Sequence, residues 1–277
     1  ALSSAASDVY KRQVIKPEWS AIEGSSMYAN PGQSYTVREL LYGMMLNSGN
    51  DAAEALACTV CGDESTFVEK MNETASRLGM ENSSFRNPHG LDEDRHYSTA
   101  RDMARLTAYC MENDDFRDIA STNCAVIKGV TYYNHNRLLR EYEGCIGVKT
   151  GYTERAGRCL VSAVKYKGNT LICVTLSDPD DWVDHRRLLY ACKKQYTTYK
   201  LDRHVQVPVV GGRESYVTAE YRYSQTALNA TYTVRLYYYP FVYAPVKKGD
   251  VIGYACINQI TVPMRAQEDI EIYATEE

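Results

Sequence analysis

The hydrophobic periodicity of the chain changes near Cys124, and this change constrains the fold more than any other feature. Before Cys124, apolar side chains recur at helical spacing, whereas short apolar runs typical of strands follow it. The clearest runs are 159–166 and 170–176, which residues 167–169 join as a predicted hairpin. We therefore expect helices first, a central sheet after them, and a last helix over about 181–199.

The first helices are predicted from their start and stop signals. Thr36 and Glu39 have the spacing of a capping box, so a helix is expected to begin there. Ser48, Gly49 and Asn50 interrupt the helical pattern before it resumes over 51–61. The Ser-Gly-Asn sequence is therefore predicted to lie on a break between two helices.

Two further helices and the strands follow the same logic. Thr66 is predicted to cap a helix that Gly79 ends, and Ser98 or Thr99 is predicted to cap another that reaches about Glu112. The β pattern then predicts strands over 125–127, 131–133 and 145–148.

The composition excludes several classes of protein. The 277 residues are 44% hydrophobic and 24% charged, which is typical of globular domains and not of disordered or fibrous chains. A net charge of -4 without a long basic run argues against a nucleic-acid partner. No apolar run has the length of a membrane span, and no signal peptide opens the sequence.

Cysteines and histidines do not predict a metal site. The nine cysteines lack the spacing of a disulfide scaffold, so we expect mostly buried thiols. Cys58 and Cys61 have redox or zinc spacing, but no second pair or nearby histidine completes four ligands. The histidines at positions 89, 96 and 135 are interpreted as turn or hydrogen-bonding residues, and neither a metal nor a cofactor is expected.

Three segments are predicted along the chain. Residues 14–200 form the main domain, and 201–277, where short β-rich runs replace the earlier pattern, form a small all-β domain. Residues 1–13 show no periodicity, and 8–13 match the in-frame translation of a transposon end used in sequencing-library preparation. We interpret 1–13 as a non-native remnant; the alternative is an ordinary disordered N-terminus.

Two short motifs in chain order point to chemistry. Serine acyl-transfer enzymes that bind penicillin use Ser-x-x-Lys, then Ser-x-Asn, then Lys-Thr-Gly. Here Ser48 to Asn50 supply the second motif, and Lys149, Thr150 and Gly151 supply the third after a predicted strand. Each motif alone is more simply a helix-breaking turn or a strand end with a solvated lysine. Their order and context favour the acyl-transfer interpretation.

The chain resembles the D-alanyl-D-alanine carboxypeptidases, the low-molecular-mass penicillin-binding proteins of peptidase family S11, from about Val14 to its C-terminus. The segments that carry the resemblance are 23–28, 31–53, 87–92, 96–99, 134–139, 147–153 and 244–249. The resemblance implies an α+β fold: a transpeptidase-like, serine β-lactamase-like domain with a mixed sheet and a helical subdomain, followed by a small all-β domain.

The resemblance also implies an activity and its ligands. The family removes the terminal D-alanine from peptidoglycan pentapeptide through a serine acyl-enzyme, outside the cytoplasmic membrane. The implied ligands are the peptidoglycan stem peptide and β-lactams, and peripheral membrane association is possible for the parent protein. A class A β-lactamase shares the motifs, but it ends near the last predicted helix, so residues 201–277 argue against it.

Roles for catalytic residues follow from the resemblance. Ser48 is expected to relay protons between the nucleophile, its lysine and the leaving amine. Asn50 is expected to hold an amide of the substrate. Lys149 completes the set of expected catalytic residues.

Roles in substrate binding follow in the same way. Lys149 and Thr150 are expected to bind the terminal carboxylate of D-Ala-D-Ala. Gly151 is expected to keep the strand edge open so that the substrate aligns as an added strand. The backbone N–H of Tyr152 is expected to donate to the oxyanion.

The nucleophile motif is missing from its expected place before Ser48. The only Ser-x-x-Lys in the chain is Ser162 with Lys165, inside a predicted strand, where residues three apart point to opposite faces. This pair is rejected as a catalytic dyad. We expect an N-terminally truncated chain that does not form an acyl-enzyme. The alternative is a non-catalytic homologue that binds muropeptides or acts as a scaffold.

Overall fold

The computed structural model describes residues 11–228 and 232–273 and divides the chain into two compact units. The first unit is Ala1–Cys192 and the second is Lys193–Glu277, so the division precedes the boundary expected between residues 200 and 201. Each unit has its own buried apolar cluster.

The first unit combines helices with short sheets. Its helices are α1 (Pro17–Ser20), α2 (Val37–Asn47), α3 (Asn50–Cys61), α4 (Glu64–Arg77), α5 (Ala100–Cys110), α6 (Asp114–Ser121), α7 (Leu138–Glu141) and α8 (Asp181–Gln195), the last of which runs into the second unit. Its strands are β1 (Arg12–Val14), β2 (Ser34–Thr36), β3 (Cys124–Ile127), β4 (Val130–Tyr133), β5 (Cys145–Thr153), β6 (Gly157–Tyr166) and β7 (Asn169–Thr175).

Side-chain caps set the beginnings of four helices, α2, α4, α5 and α6. Thr36 and Glu39 form the predicted capping box at α2, and Thr99 accepts a hydrogen bond from the Asp102 N–H at α5. Helix α4 differs from expectation, since Asp63 and not Thr66 is its cap. The Asp63 carboxylate accepts from the Thr66 N–H at 2.8 Å, which leaves Thr66 inside the first turn.

The central sheet has the strand order β5-β6-β7, and both strand pairs are antiparallel. Strand β5 does not end at Val148 as predicted. Its pairing with β6 continues as far as Thr153 opposite Gly157, so Lys149 and Thr150 lie within the strand. This register is possible because β5 and β6 form a hairpin whose turn follows Thr153, and backbone pairing continues to that turn.

Two apolar clusters stabilise the first unit. One packs α2 and α3 against β3 and β4, with Leu40, Leu46 and Ala52 fully buried. The other joins α6 to the central sheet through Ala120, Val148 and Ala163. Together they hold the α2–α3 connection and the middle of β5 in rigid surroundings.

Helix α8 ends at Gln195, before the predicted end near residue 199, because Tyr196 begins a long strand. The strands of the second unit are β8 (Tyr196–Val210), β9 (Tyr216–Leu228), β10 (Val234–Tyr238), β11 (Val242–Tyr243), β12 (Val251–Ile257) and β13 (Ile260–Ala266). They form one sheet in the order β10-β12-β13-β9-β8-β11, in which only the β8–β11 pair is parallel.

The predicted α+β class is confirmed, since helices combine with sheets in the first unit and strands make up most of the second unit. Residues 1–10 of the segment interpreted as non-native lie outside the described residues. Arg12 and Gln13 of that segment pair in β1 with β2, through backbone groups that any sequence supplies. Among the described residues, no helix combines the length and apolar character that crossing a bilayer requires.

Candidate active site

The turn between α2 and α3 places Ser48 and Asn50 side by side. Ser48 adopts a left-handed conformation with φ 55° and ψ 35°, and its N–H donates to the Gly43 carbonyl, which ends α2. Asn50 begins α3 and is 7% exposed. Its side-chain amide donates to the Glu23 carbonyl at 2.7 Å and its N–H donates to the Ser25 carbonyl at 2.8 Å. The turn is therefore fastened to the segment that precedes it.

Asp51 strengthens this attachment, and sequence reasoning assigned it no role. Its carboxylate is 1% exposed. It accepts hydrogen bonds from the Ser26 hydroxyl at 2.7 Å, the Met27 N–H at 2.9 Å and the Ala29 N–H at 3.0 Å. These hydrogen bonds replace water around a buried carboxylate and hold residues 26–29 against α3. The available signal was an acidic residue in the first helical turn.

The amine of Lys149 joins the two sequence motifs. It donates to the Ser48 hydroxyl, 101 positions earlier in the chain, and to the Thr150 carbonyl at 2.8 Å. Burial lowers the pKa of Lys149 to about 8. Burial, and then the charge of Lys149, also lowers the pKa of His135. The site thus contains one ammonium group that can lose its proton near neutral pH.

These groups line an open cleft of about 870 Å³ in the first unit. All six predicted site residues lie on its wall: Ser48, Asn50, Lys149, Thr150, Gly151 and Tyr152. The remaining lining residues are Gly24, Ser25, Met44, Met45, Gly49, Ala53, Pro88, His89, Gly90, Leu91, His135, Thr153, Arg158, Cys159, Asp181 and Trp182. The fold therefore brings the predicted residues together and adds groups that the motifs did not contain.

Arg158 is the added group with the most direct chemistry. It lies on β6 opposite Tyr152, and its guanidinium donates to the buried Asp181 carboxylate at 3.0 Å. The same guanidinium lies 5.8 Å from the centre of the Trp182 ring. The cleft therefore contains a second cation, and only the strand register could have revealed its position.

The rejected serine–lysine pair is separated in the structure. Ser162 is 0% exposed and its hydroxyl forms a 2.7 Å hydrogen bond with Nδ1 of His185. The amine of Lys165 donates instead to the Thr170 hydroxyl on an exposed part of the sheet. Ser162 therefore cannot receive activation from Lys165.

Comparison with known proteins shows that the sequence is similar to D-alanyl-D-alanine carboxypeptidases. Residues 9–180 match the D-alanyl-D-alanine carboxypeptidase family, Peptidase S11. The chain is 42% identical over 151 residues to D-alanyl-D-alanine carboxypeptidase DacF of Bacillus subtilis, covering 53% of this chain and 39% of that protein. It is 33% identical over 253 residues to DacC of Escherichia coli, covering 84% of this chain and 62% of that protein.

Solved structures of a penicillin binding protein and a DD-transpeptidase are also similar to this chain. Penicillin binding protein 5 from Haemophilus influenzae superposes with a TM-score of 0.69 at 25% identity, over 98% of this chain and 87% of that chain. The Streptomyces K15 DD-transpeptidase superposes with a TM-score of 0.64 at 32% identity, over 68% of this chain and 81% of that chain. The chain spans 39% and 62% of the two curated relatives above. It belongs to peptidase family S11, the D-alanyl-D-alanine carboxypeptidases.

Proposed function

We propose that this chain supplies the substrate-binding and proton-relay side of a serine-type carboxypeptidase that removes the terminal D-alanine from peptidoglycan pentapeptide. The observation that carries the proposal is the hydrogen bond from Lys149 to Ser48 inside the cleft. It joins the Ser-x-Asn and Lys-Thr-Gly motifs of a family whose members are D-alanyl-D-alanine carboxypeptidases.

The terminal carboxylate of the substrate binds at Lys149 and Thr150. The amine of Lys149 faces the cleft and is protonated below its pKa of about 8, so it can form a charge-assisted hydrogen bond with a carboxylate. The hydroxyl of Thr150 adds a neutral donor. Because burial reduces screening, this contact is stronger than an exposed ion pair.

The backbone of the substrate aligns along β5. This strand lies at the edge of its sheet, with β6 on its one paired side among the described residues. Gly151 has no side chain to block the approach, and a peptide can therefore add as a strand. The N–H of Tyr152, whose side chain is 71% exposed, is the proposed oxyanion donor in the same strand.

Ser48 and Asn50 act at the amide bond of the substrate that is cleaved. The hydroxyl of Ser48 accepts from Lys149, so its own proton points away from Lys149 and is available to a leaving amine. Asn50 is held by two hydrogen bonds to 23–25, which supports a fixed position beside the substrate amide.

The nucleophile is not supplied by these 277 residues. Acylation needs a serine whose hydroxyl attacks the carbonyl of the penultimate D-alanine and releases the terminal one, before water hydrolyses the ester. The single Ser-x-x-Lys of the chain is the separated pair Ser162 and Lys165. We therefore propose that this chain binds but does not cleave, and that the acyl-enzyme forms on a serine outside it.

The same absence favours a second candidate, a non-catalytic homologue that binds muropeptides as a scaffold. The two candidates share the ligand, and they differ in whether the native gene encodes a Ser-x-x-Lys upstream of Val14. For both candidates, the proposed location is the cell envelope, outside the cytoplasmic membrane, because the protein encounters the peptidoglycan stem peptide and β-lactams there. Peripheral attachment to the membrane belongs to the same proposal.

The test combines binding with covalent labelling. The 277-residue protein is titrated with a peptide ending in D-Ala-D-Ala and with the same peptide carrying a C-terminal amide, and is incubated with a fluorescent penicillin. We expect the amide to bind at least about tenfold more weakly, since it lacks the charge that Lys149 recognises. We expect no covalent adduct by mass spectrometry. Equal binding of both peptides contradicts the binding proposal, and an adduct contradicts the inactivity.

Restoring the upstream coding region of the native gene separates the two candidates. A restored protein that labels with penicillin and releases D-alanine is the carboxypeptidase. A restored protein that binds the peptide and does neither is the scaffold.

A further inference from the structure

A second group of polar side chains lies near the cleft and takes no part in the proposed reaction. It consists of Glu54 on α3, Glu64 at the start of α4, and His89 in the turn over 87–92. One carboxylate oxygen from each glutamate and one ring nitrogen of His89 lie within 4.8 Å of one another. The three residues come from separate parts of the first unit and converge at one point.

Glu54 is the unusual member of this group. Its side chain is 7% exposed, which is rare for a carboxylate. Oε1 accepts a 3.4 Å hydrogen bond from the Cys58 thiol, whereas Oε2 is buried and has no hydrogen-bond partner among the described residues. A buried carboxylate oxygen without a partner is costly, so its retention points to a ligand that satisfies it.

The charges around Glu54 also lack compensation. No arginine or lysine forms an ion pair with Glu54 or Glu64 in the described part of the chain.

In a comparable group in the second unit, a positive charge offsets the carboxylates. Asp202, His204 and Glu220 also place ligand atoms within 4.8 Å of one another. There, however, Arg222 forms ion pairs with both Asp202 and Glu220. The guanidinium already supplies the positive charge, so this group, with Glu220 buried and the other two residues exposed, serves as a control.

We propose that Glu54, Glu64 and His89 bind a zinc ion. Two carboxylates and one imidazole form a three-residue ligand set that zinc accepts, with water in the fourth position. The imidazole favours a transition metal over magnesium or calcium, which prefer oxygen ligands alone. Bond lengths of about 2.0 to 2.2 Å require the ligand atoms to close in slightly. Glu64 and His89 are only partly buried and can make that movement.

The proposed ion links the metal group to the cleft. Residues 88–91 line the cleft, and His89 is one of them. Asn87 already closes this turn by accepting a hydrogen bond from the Gly90 N–H at 2.7 Å. A zinc ion on His89 ties the turn to α3 and α4. Zinc therefore positions one wall of the cleft and does not enter the acyl-transfer chemistry.

Zinc binding is tested on the complete, metal-stripped protein. Zinc chloride is titrated against a competing chelator, and thermal unfolding is followed with and without the ion. We expect one zinc per chain and a higher Tm with zinc, because an ion that binds only the folded state stabilises it. The variants Glu64→Gln and His89→Gln are expected to lose at least about tenfold in affinity, whereas His204→Gln, the matched control, keeps it. The buried Glu54 is left unchanged, since its substitution also disturbs packing.

Two further measurements test which residues bind the ion. Cobalt substitution is expected to show no thiolate charge-transfer band, which excludes binding by the nine cysteines. Hydrogen exchange over 87–91 is expected to slow with zinc in the wild type and not in His89→Gln. The proposal is overturned by no binding at about 100 µM zinc, by unchanged affinity in Glu64→Gln and His89→Gln, by loss in His204→Gln, or by a thiolate band.

Discussion

Two serine–lysine pairs in this chain behave in opposite ways. Ser162 and Lys165 have the spacing of a nucleophile motif, yet the serine is buried against His185 and the lysine bonds to Thr170. Ser48 and Lys149 are 101 positions apart, yet the amine donates to the hydroxyl. A short sequence motif therefore supports catalysis only when it lies on the type of secondary structure that its geometry requires. Spacing of three brings side chains together on a helix and separates them on a strand.

The largest expected effect comes from removing Lys149. Lys149→Met is expected to weaken binding of a D-Ala-D-Ala peptide by roughly 30-fold or more, because a buried charged contact costs at least about 2 kcal/mol when one partner is lost. Isothermal titration measures the change. Lys165→Met is the matched control and is expected to bind like the wild type. Similar losses in both variants break the distinction between the two pairs.

The support beneath Ser48 gives the next effect. Asp51→Asn removes the charge that accepts bonds from Ser26, Met27 and Ala29, and is expected to lower the free energy of unfolding by about 2 kcal/mol. Urea denaturation measures it. Asp63→Asn, at the exposed cap of α4, serves as the control, since asparagine caps helices as well as aspartate. A stability of Asp51→Asn equal to that of the control argues against Asp51 as the anchor.

The titration of Lys149 gives peptide affinity a pH dependence. Peptide affinity is expected to be highest below about pH 8 and to fall as pH rises through that value, by up to about tenfold per pH unit, since the deprotonated amine no longer attracts a carboxylate. Stability should change in the opposite direction. The folded pKa lies below the unfolded one, so the unfolded state binds more protons and unfolding free energy rises between about pH 8 and 10.5. A flat binding profile contradicts the assignment.

The smallest expected effect is at Ser162. Ser162→Ala is expected to lower the free energy of unfolding by about 1 kcal/mol, because it removes the buried hydrogen bond to His185. Peptide affinity should stay unchanged, and thermal unfolding together with titration checks both. A marked loss of peptide affinity in this variant contradicts the conclusion, drawn from its burial, that Ser162 takes no part in binding at the cleft.

Local signals predicted the parts of the fold that depend on local contacts. The capping box at Thr36 and Glu39 was predicted correctly, because its two hydrogen bonds lie within one turn. The cap of α4 was misplaced because Asp63 and Thr66 both carry capping side chains, and their geometry decides between them. The end of β5 was placed too early, since its continuation depends on the partner strand β6.

The sequence by itself determined the family, the longer helices and the central strands, and the identity of Ser48, Asn50 and Lys149 as candidate residues. Each of these rests on residue types in chain order. Tertiary structure alone decided that Arg158 joins the cleft and that Glu54, Glu64 and His89 converge. Their proximity depends on the packing of separate elements and leaves no spacing in the sequence. Burial, which lowers the pKa of Lys149 to about 8, likewise belongs to the folded chain.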